Sequence, residues 1–244
     1  MRILLTLSNI KALQALLVPQ LVANFETSFS VKLTDEAKTI RDVLVQIENR
    51  LFQSYTKPTV DALTREIHDG ITASDWVPAT NRPEQVRPYV YNTLLALVLV
   101  HTEISTTIPS SSVAYSSRSS STPTPGAAST LMNTALTFLL ARVSSSLLAA
   151  FCARPSYSLA ALMQATLDTE FIAQTLSQYS TEEASTIQSQ IYVELDRRTT
   201  HEARAKLQSE LGEMRGVLKK LRERTKGEFA CFRKSRSGTG LKSA

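Results

Sequence analysis

The sequence predicts an all-α protein. Glycine occupies only seven of 244 positions. That is few for phosphate loops, tight hairpins or barrel corners, because those structures need backbone conformations that only glycine enters without strain. Apolar residues recur at the spacing of a helix rather than in alternation. The chain is 43% hydrophobic and 20% charged, so most of it is expected to fold around a core.

The first amphipathic pattern spans about residues 3–29. Leu17, Leu21, Phe25 and Phe29 are spaced by four and share one face of a helix. Pro19 lies inside this pattern and predicts a kink or a short break, because proline removes one helical hydrogen bond and crowds the preceding turn.

Three further helices are predicted before residue 109. The clearest pattern spans about 35–55, and its apolar face consists of Ile40, Val43, Leu44, Ile47 and Leu51. Pro58 is expected to open the next helix, since proline is tolerated in a first turn, and Gly70 to close it. Pro88 is expected to start a strongly apolar helix that reaches about residue 104 and is buried on most faces.

Residues 109–130 are rich in Ser, Thr and Pro and are predicted to form a disordered loop. Thr122 and Thr124 each precede a proline and are candidates for proline-directed phosphorylation, although an unmodified linker fits these residues as well. The expected organisation is a first helical bundle portion at 1–108, the loop at 109–130, a second bundle portion at 131–225 and a basic flexible tail at 226–244.

Four helices are predicted beyond the loop, and the first two are strongly apolar. The first ends at Pro155, and one of its faces is apolar and consists of Leu136, Leu140, Val143, Leu147 and Phe151. Ser158 is the expected N-cap of the second, which extends to Tyr179. Only a narrow polar arc interrupts its apolar surface, so it is expected to lie centrally in the bundle. The arc consists of Gln164, Asp168 and Thr175.

The last two helices have clear local signals. Ser180 and Glu183 match a capping box that opens the first, which carries Ile187, Ile191 and Leu195. The second spans about 202–224 and has a seam whose spacings alternate between four and three, as in a coiled coil. The seam consists of Leu207, Leu211, Met214, Leu218 and Leu221.

The positive charge is concentrated at one end of the chain. From Arg215 onward there are ten basic and two acidic residues, a net charge of +8, so the rest carries −3 of the total of +5. Clustered Lys and Arg attract anionic membranes and nucleic acids alike. A solvated tail that aids solubility is an equally good reading. The candidate contacts to anionic lipid are Lys219, Lys220, Arg222, Arg224, Lys226, Arg233, Lys234 and Arg236, and Phe229 and Phe232 beside them are candidates for insertion into lipid.

The residues give no sign of catalysis. His68, His101 and His201 are far apart and do not show metal-ligand spacing. Cys152 and Cys231 belong to no CxxC pair, and no nucleophile elbow or phosphate loop is present in the sequence. We therefore predict no enzymatic activity, no cofactor and no metal. No membrane span is predicted either, since the strongest apolar run, 94–100, is short.

Several blocks of sequence resemble the C-terminal part of the fungal exocyst subunit Sec-five. Their order and breadth carry the resemblance, which covers nearly the whole chain except the Ser/Thr/Pro loop and the last few residues. The blocks are residues 5–10, 18–21 with Phe25-Glu26, 40–44, 50–55, 86–91 with 94–101, 158–168 with 171–176, and 232–234.

The resemblance implies a structural subunit of the exocyst, the complex that tethers secretory vesicles to the plasma membrane. It implies an elongated, rod-like fold of stacked helical bundles, other exocyst subunits as partners, and a cytoplasmic protein at sites of polarised secretion. Small GTPases would be reached through the wider complex, and the basic tail would lie near anionic membrane. The alternative reading of the residues is a basic helical module that binds nucleic acid or anionic membrane. Nucleic acid is not expected, because neither stacking aromatics nor a recognition helix accompanies the basic tail.

Overall fold

The computed structural model describes residues 1–79, 82–108 and 127–233, and throughout these ranges the regular structure is helical. The all-α prediction is confirmed. A π-helical turn spans Leu13–Leu17, and short 3₁₀ turns span Ser177–Tyr179 and Ala230–Phe232. The α-helices are α1 Arg2–Ala12, α2 Val18–Phe29, α3 Thr34–Thr72, α4 Pro88–Thr107, α5 Ala127–Ala153, α6 Leu159–Thr175, α7 Glu182–Arg197 and α8 His201–Arg224.

The chain forms two compact units. Unit 1 contains the described residues of Met1–Leu63 and Leu99–Leu139, and unit 2 those of Thr64–Val98 and Leu140–Ala244. Helices α3, α4 and α5 therefore contribute residues to both units. The predicted division into portions at 1–108 and 131–225 stays a prediction.

In unit 1, the break predicted at Pro19 takes the form of the π-helical turn just before it. Proline has no N–H to donate to the carbonyl four residues earlier, and its ring crowds that carbonyl, so the backbone widens there. The Nζ atom of Lys11 lies 3.3 Å from Oε1 of Glu48, which links α1 to α3. Leu4 and Leu7 are fully buried.

The prediction of a separate helix at Pro58 was wrong, because α3 continues through this proline from Thr34 to Thr72. Packing outweighs the local cost, since Leu63, Ile67 and Ile71 are buried beyond the proline. Gly70 does not end the helix. A Cβ atom built there would lie 2.5 Å from the Cβ of Tyr89, so glycine permits the close approach of α3 and α4.

In unit 2, the predicted apolar face of α5 is buried: Leu140, Val143, Leu147 and Phe151 are at most 1% exposed. Ser158 caps α6 as predicted, with its hydroxyl oxygen accepting from the N–H of Ala161 at 3.3 Å. The cap of α7 is Thr181 rather than Ser180. Its hydroxyl accepts from the N–H of Ala184 at 3.2 Å, because the chain turns into the helix one residue later than the capping box suggested.

The seam of α8 packs within unit 2 against α6. Met214, Leu218 and Leu221 are buried, whereas Leu207 and Leu211 are half-buried. Residues 127–130, assigned to the loop from sequence, belong to α5 instead. The predicted disorder of 109–126, with the candidate phosphorylation sites, lies outside the described residues.

Within the described ranges, two segments are long and apolar enough to span a membrane, where none was expected. They are Arg2–Phe29 and Ser129–Ala153. The second is more than half buried inside the protein, as the core helix of a bundle would be, whereas only 17% of the first is buried. Helices α1 and α2 are therefore apolar in composition and largely exposed in the structure.

Candidate interaction surfaces

A buried carboxylate holds the segment before α4 against α6. Oδ1 of Asp168 accepts from the backbone N–H of Arg87 at 3.1 Å and from Nε2 of Gln164 at 2.8 Å, and Oδ2 accepts from the hydroxyl of Tyr89 at 2.9 Å. Gln164 also donates to the carbonyl of Gln85 at 3.1 Å. The polar arc predicted on α6 is thus a structural hydrogen-bond network inside unit 2.

Burial dominates the electrostatics of this network. It raises the pKa of Asp168 to about 7, against the lowering effect of its three hydrogen-bond donors and of the Arg87 guanidinium. Burial also raises the pKa of Tyr89 well above its usual value. Every oxygen of Asp168 is engaged by the fold, so this carboxylate serves packing rather than an accessible reaction site.

Unit 1 leaves an apolar surface exposed on α2 and the first half of α3. Leu21 is 62% and Phe29 64% exposed, so the apolar face that their spacing predicted is not buried in unit 1. The Phe25 and Phe29 rings lie 4.6 Å apart between centroids, so they contact each other in solvent. We use the name α2–α3 apolar surface for the exposed apolar residues from the end of the π-helical turn to the first half of α3, which are Leu17, Leu21, Phe25, Phe29, Ile40, Val43 and Ile47.

A tight turn joins the two helices of this surface. Ser30 ends α2 in the left-handed conformation, with φ of 53°. The Oε1 atom of Glu26 accepts from the N–H of Leu33 at 2.9 Å and so fixes the start of α3. Single exposed apolar residues are ordinary. A set at helical spacing on two connected helices is typical of a surface that contacts another helix.

In unit 2, the candidate lipid-contact residues of α8 lie on two faces of this helix. Lys219 and Arg222 face a cleft beside the end of α6, together with Arg233, which follows the last 3₁₀ turn. Lys220 and Arg224 are exposed and do not line this cleft, and the charge of Arg224 acts on Tyr91 instead. Lys234 and Arg236 lie outside the described residues.

The cleft has a volume of about 530 Å³ and an aromatic floor. Phe229 and Phe232 form this floor and are almost completely buried, with ring centroids 6.5 Å apart. Phe229 also packs against Tyr91 and Phe171. The expectation that these two phenylalanines insert into lipid was therefore wrong: their burial in the core gains more than exposure beside charged residues would.

Arg222 is held in place by a line of hydrogen bonds. Its Nη1 donates to Oε1 of Gln174 at 3.0 Å, and Nε2 of Gln174 donates to Oε2 of Glu170 at 2.9 Å. Oε1 of Glu170 accepts from the hydroxyl of Tyr192 at 2.7 Å. The line runs across α7, α6 and α8 and fixes the guanidinium at the edge of the cleft.

The three histidines lie on three different helices, α3, α4 and α8. Nδ1 of His68 lies 3.4 Å from a carboxylate oxygen of the neighbouring Asp69, and His201 is exposed in the first turn of α8. His101 is half-buried, and burial lowers its pKa. Among the residues that the structure describes, His, Cys, Asp and Glu do not gather in threes at a site that could hold a metal ion.

The fold and these surfaces define a helical protein whose distinctive exterior features are an apolar surface and a basic cleft, both suited to binding other molecules. The sequence matches the family described as exocyst complex component Sec5 over residues 1–232. The chain belongs to this family, and so to the exocyst, whose role is vesicle tethering in exocytosis. No curated protein and no solved structure matches the chain.

Family membership supports the coarser expectations drawn from the sequence. It implies a structural component of a tethering complex, with other exocyst subunits as partners. It also implies a cytoplasmic complex at sites of secretion. Sequence reasoning missed the exposure of the α2–α3 apolar surface and the part that Gln174 and Glu170 play at the cleft. The exposure has no local signal, and the cleft joins residues far apart in the chain.

Proposed function

We propose that this chain is a structural subunit of the exocyst and tethers secretory vesicles to the plasma membrane through helix-mediated contacts with other subunits. The observation that carries the proposal is the family match over 232 of the 244 residues. The all-helical structure supports it, since helical proteins associate by packing apolar helix faces together.

The α2–α3 apolar surface is the face that we assign to a helix of another exocyst subunit. Its apolar residues recur at intervals of three and four, which is the spacing at which one helix contacts another. Removing such a surface from water stabilises association by roughly 25 cal/mol per Å² before the costs of ordering are subtracted. A helix of a sister subunit is therefore the occupant that this surface fits.

The test is affinity isolation of the intact gene product from its native cells. Three forms are compared: the unaltered protein, a triple variant L21S/F25S/F29S, and V193S. Val193 is 64% exposed on α7 and is a matched apolar control outside the surface. We expect the unaltered protein and V193S to recover the other exocyst subunits, and the triple variant to lose at least one.

Two results would count against the proposal in different ways. If the unaltered protein recovers no exocyst subunit, the assignment to the complex fails. If the triple variant recovers every subunit in full, the tethering role stands and the contact lies on another face. A strain that lacks this region separates assembly from later steps, because a region needed only later leaves the complex intact.

A second contact, with anionic membrane, is supported by the exposed basic residues at the end of α8. Each basic residue near an anionic surface contributes about 1 kcal/mol, screened by salt. We expect binding to acidic liposomes that weakens as salt rises, and binding that is absent or insensitive to salt would remove this part of the proposal. We propose that small GTPases are reached through the wider complex, and we assign them no surface on this chain.

A further inference from the structure

The cleft at the ends of α6 and α8 carries more positive than negative charge. Lys219, Arg222 and Arg233 line it, against a single acidic residue, Glu223. The carboxylate of Glu223 lies 3.8 Å from Nζ of Lys226, so a cation outside the lining partly offsets it. An anion in the cleft would therefore meet a net attractive field.

The cleft is also partly preorganised for an anion. Gln174 turns its amide oxygen to Arg222 because its amide nitrogen is engaged by Glu170, as described above. Only Nη1 of the guanidinium is used in this bond, so the other N–H donors of Arg222 stay available to a second acceptor. Lys219 lies one helical turn before Arg222 on the same face of α8. Two adjacent cations, one of them already ordered, cost less entropy to engage than two free side chains.

Uncharged donors complete the lining. Ser177 and Gln178, in the 3₁₀ turn after α6, also line the cleft, and the Gln178 side chain is hydrogen-bonded to Tyr179. Phe229 and Phe232 line the cleft and are buried, whereas the cations at its edge are exposed. Hydrogen bonds from these cations to an anion would be charge-assisted and so stronger than bonds between neutral groups.

We propose that this cleft is a binding site for a phosphate monoester, carried either by a lipid headgroup or by a small soluble molecule. A monoester has three free oxygens and a charge near −2 at neutral pH, which suits simultaneous bonds from Lys219 and Arg222. A phosphodiester has a single charge and two free oxygens, and it satisfies fewer of these donors. The inference rests on the membrane contact proposed above and gives that contact a specific chemistry.

The experiment compares two double variants of the whole chain with the same change in net charge. K219Q/R222Q removes cations from the cleft, and K220Q/R224Q removes cations from the other face of α8. Flotation is measured with phosphatidylcholine vesicles that contain phosphatidic acid, a monoester, or phosphatidylserine, a diester, at matched surface charge. Glycerol 3-phosphate and glycerophosphocholine are the soluble monoester and diester, titrated by calorimetry.

We expect the unaltered chain to prefer the monoester. We expect K219Q/R222Q to lose at least about tenfold in affinity for it, and K220Q/R224Q less than about threefold. Preference for phosphatidic acid vesicles assigns the site to a headgroup, and binding of glycerol 3-phosphate without that preference assigns it to a soluble phosphate. Equal losses in the two variants, or equal binding of monoester and diester, would overturn the site in favour of an unspecific basic surface.

The outcome is separable from that of complex assembly. The cleft lies in unit 2, and the surface assigned to a sister subunit lies in unit 1. K219Q/R222Q is therefore expected to recover the other exocyst subunits normally. Loss of phosphate binding with intact recovery supports the inference. If recovery fails for the unaltered protein while phosphate binding persists, the subunit assignment fails and the site stands.

Discussion

Nη1 of Arg222 donates to Oε1 of Gln174 across 3.0 Å, and this bond joins the last turn of α8 to the last turn of α6. It predicts that Gln174 acts as a positioning residue for the cleft. Q174L keeps the net charge and removes the acceptor that orders the guanidinium. We expect a three- to tenfold loss of affinity for glycerol 3-phosphate, on the order of one hydrogen bond to a charged group.

Calorimetric titration checks this prediction, with Q53L as the control because Gln53 is exposed on α3 and lies in the other unit. A positioning role also predicts that binding to phosphatidylserine vesicles stays unchanged in Q174L, since the total charge is the same. An affinity for the monoester equal to that of the unaltered chain would show that Arg222 orders itself without Gln174.

The cleft illustrates what sequence alone cannot provide. Lys219 and Arg222 were recognisable as basic residues, but Gln174 and Arg222 are 48 positions apart and no local spacing connects them. For Phe229 and Phe232, the sequence suggested a contact that the structure does not have. Their position beside basic residues suggested a lipid contact, whereas tertiary packing buries them.

Hydrophobic periodicity predicted the positions of the helices well. It did not predict which helix faces are covered by other parts of the protein. The apolar face predicted for α5 is buried in the structure, because a strongly apolar helix has few alternatives to a core. Leu21 and Phe29 follow an equally regular pattern but are exposed in unit 1. A period of 3.6 residues between apolar positions indicates that one face of a helix is apolar. It does not indicate what covers that face. Pro58 shows that burial beyond a proline, here of Leu63, Ile67 and Ile71, can outweigh its local cost to a helix.

The exposure of the α2–α3 apolar surface predicts an unusual tolerance to polar substitution. L21S/F29S is expected to change the free energy of unfolding by less than about 1 kcal/mol, because neither side chain loses many contacts. L7A is the comparison within unit 1, since Leu7 is fully buried, and is expected to cost about 2–5 kcal/mol. Urea denaturation of the isolated chain measures both. A loss in L21S/F29S as large as that in L7A would mean that the surface is covered.

The buried carboxylate of Asp168 predicts a pH dependence of stability. Its pKa of about 7 in the folded chain lies above the usual value of 3.8. Between pH 4 and 7 the folded chain thus keeps a proton that the unfolded chain releases. The free energy of unfolding therefore falls as pH rises through this window, by up to about 1.4 kcal/mol per pH unit, and levels off above it.

Thermal unfolding from pH 5 to 8 tests this dependence by comparing the unaltered chain with D168N. The free energy of unfolding of D168N minus that of the unaltered chain is expected to increase up to about pH 7 and then stay constant. D75N is the control, because Asp75 is an exposed aspartate. A difference that stays flat across the whole range would mean that the three donors keep Asp168 ionised throughout.

At Gly70, we expect substitution by alanine to change stability in the direction opposite to the one that helix propensity predicts. Alanine favours a helix over glycine by about 1 kcal/mol, so G70A would stabilise an isolated helix. In unit 2, however, the new Cβ would lie 2.5 Å from the Cβ of Tyr89, an atom that cannot rotate away. We expect G70A to cost about 1–3 kcal/mol, because α3 and α4 must separate.

G212A is the matched control, since a Cβ at Gly212 in α8 meets nothing within 4 Å, and it is expected to gain up to about 1 kcal/mol. Urea denaturation compares the two, and a G70A variant as stable as G212A would rule out the close approach of α3 and α4.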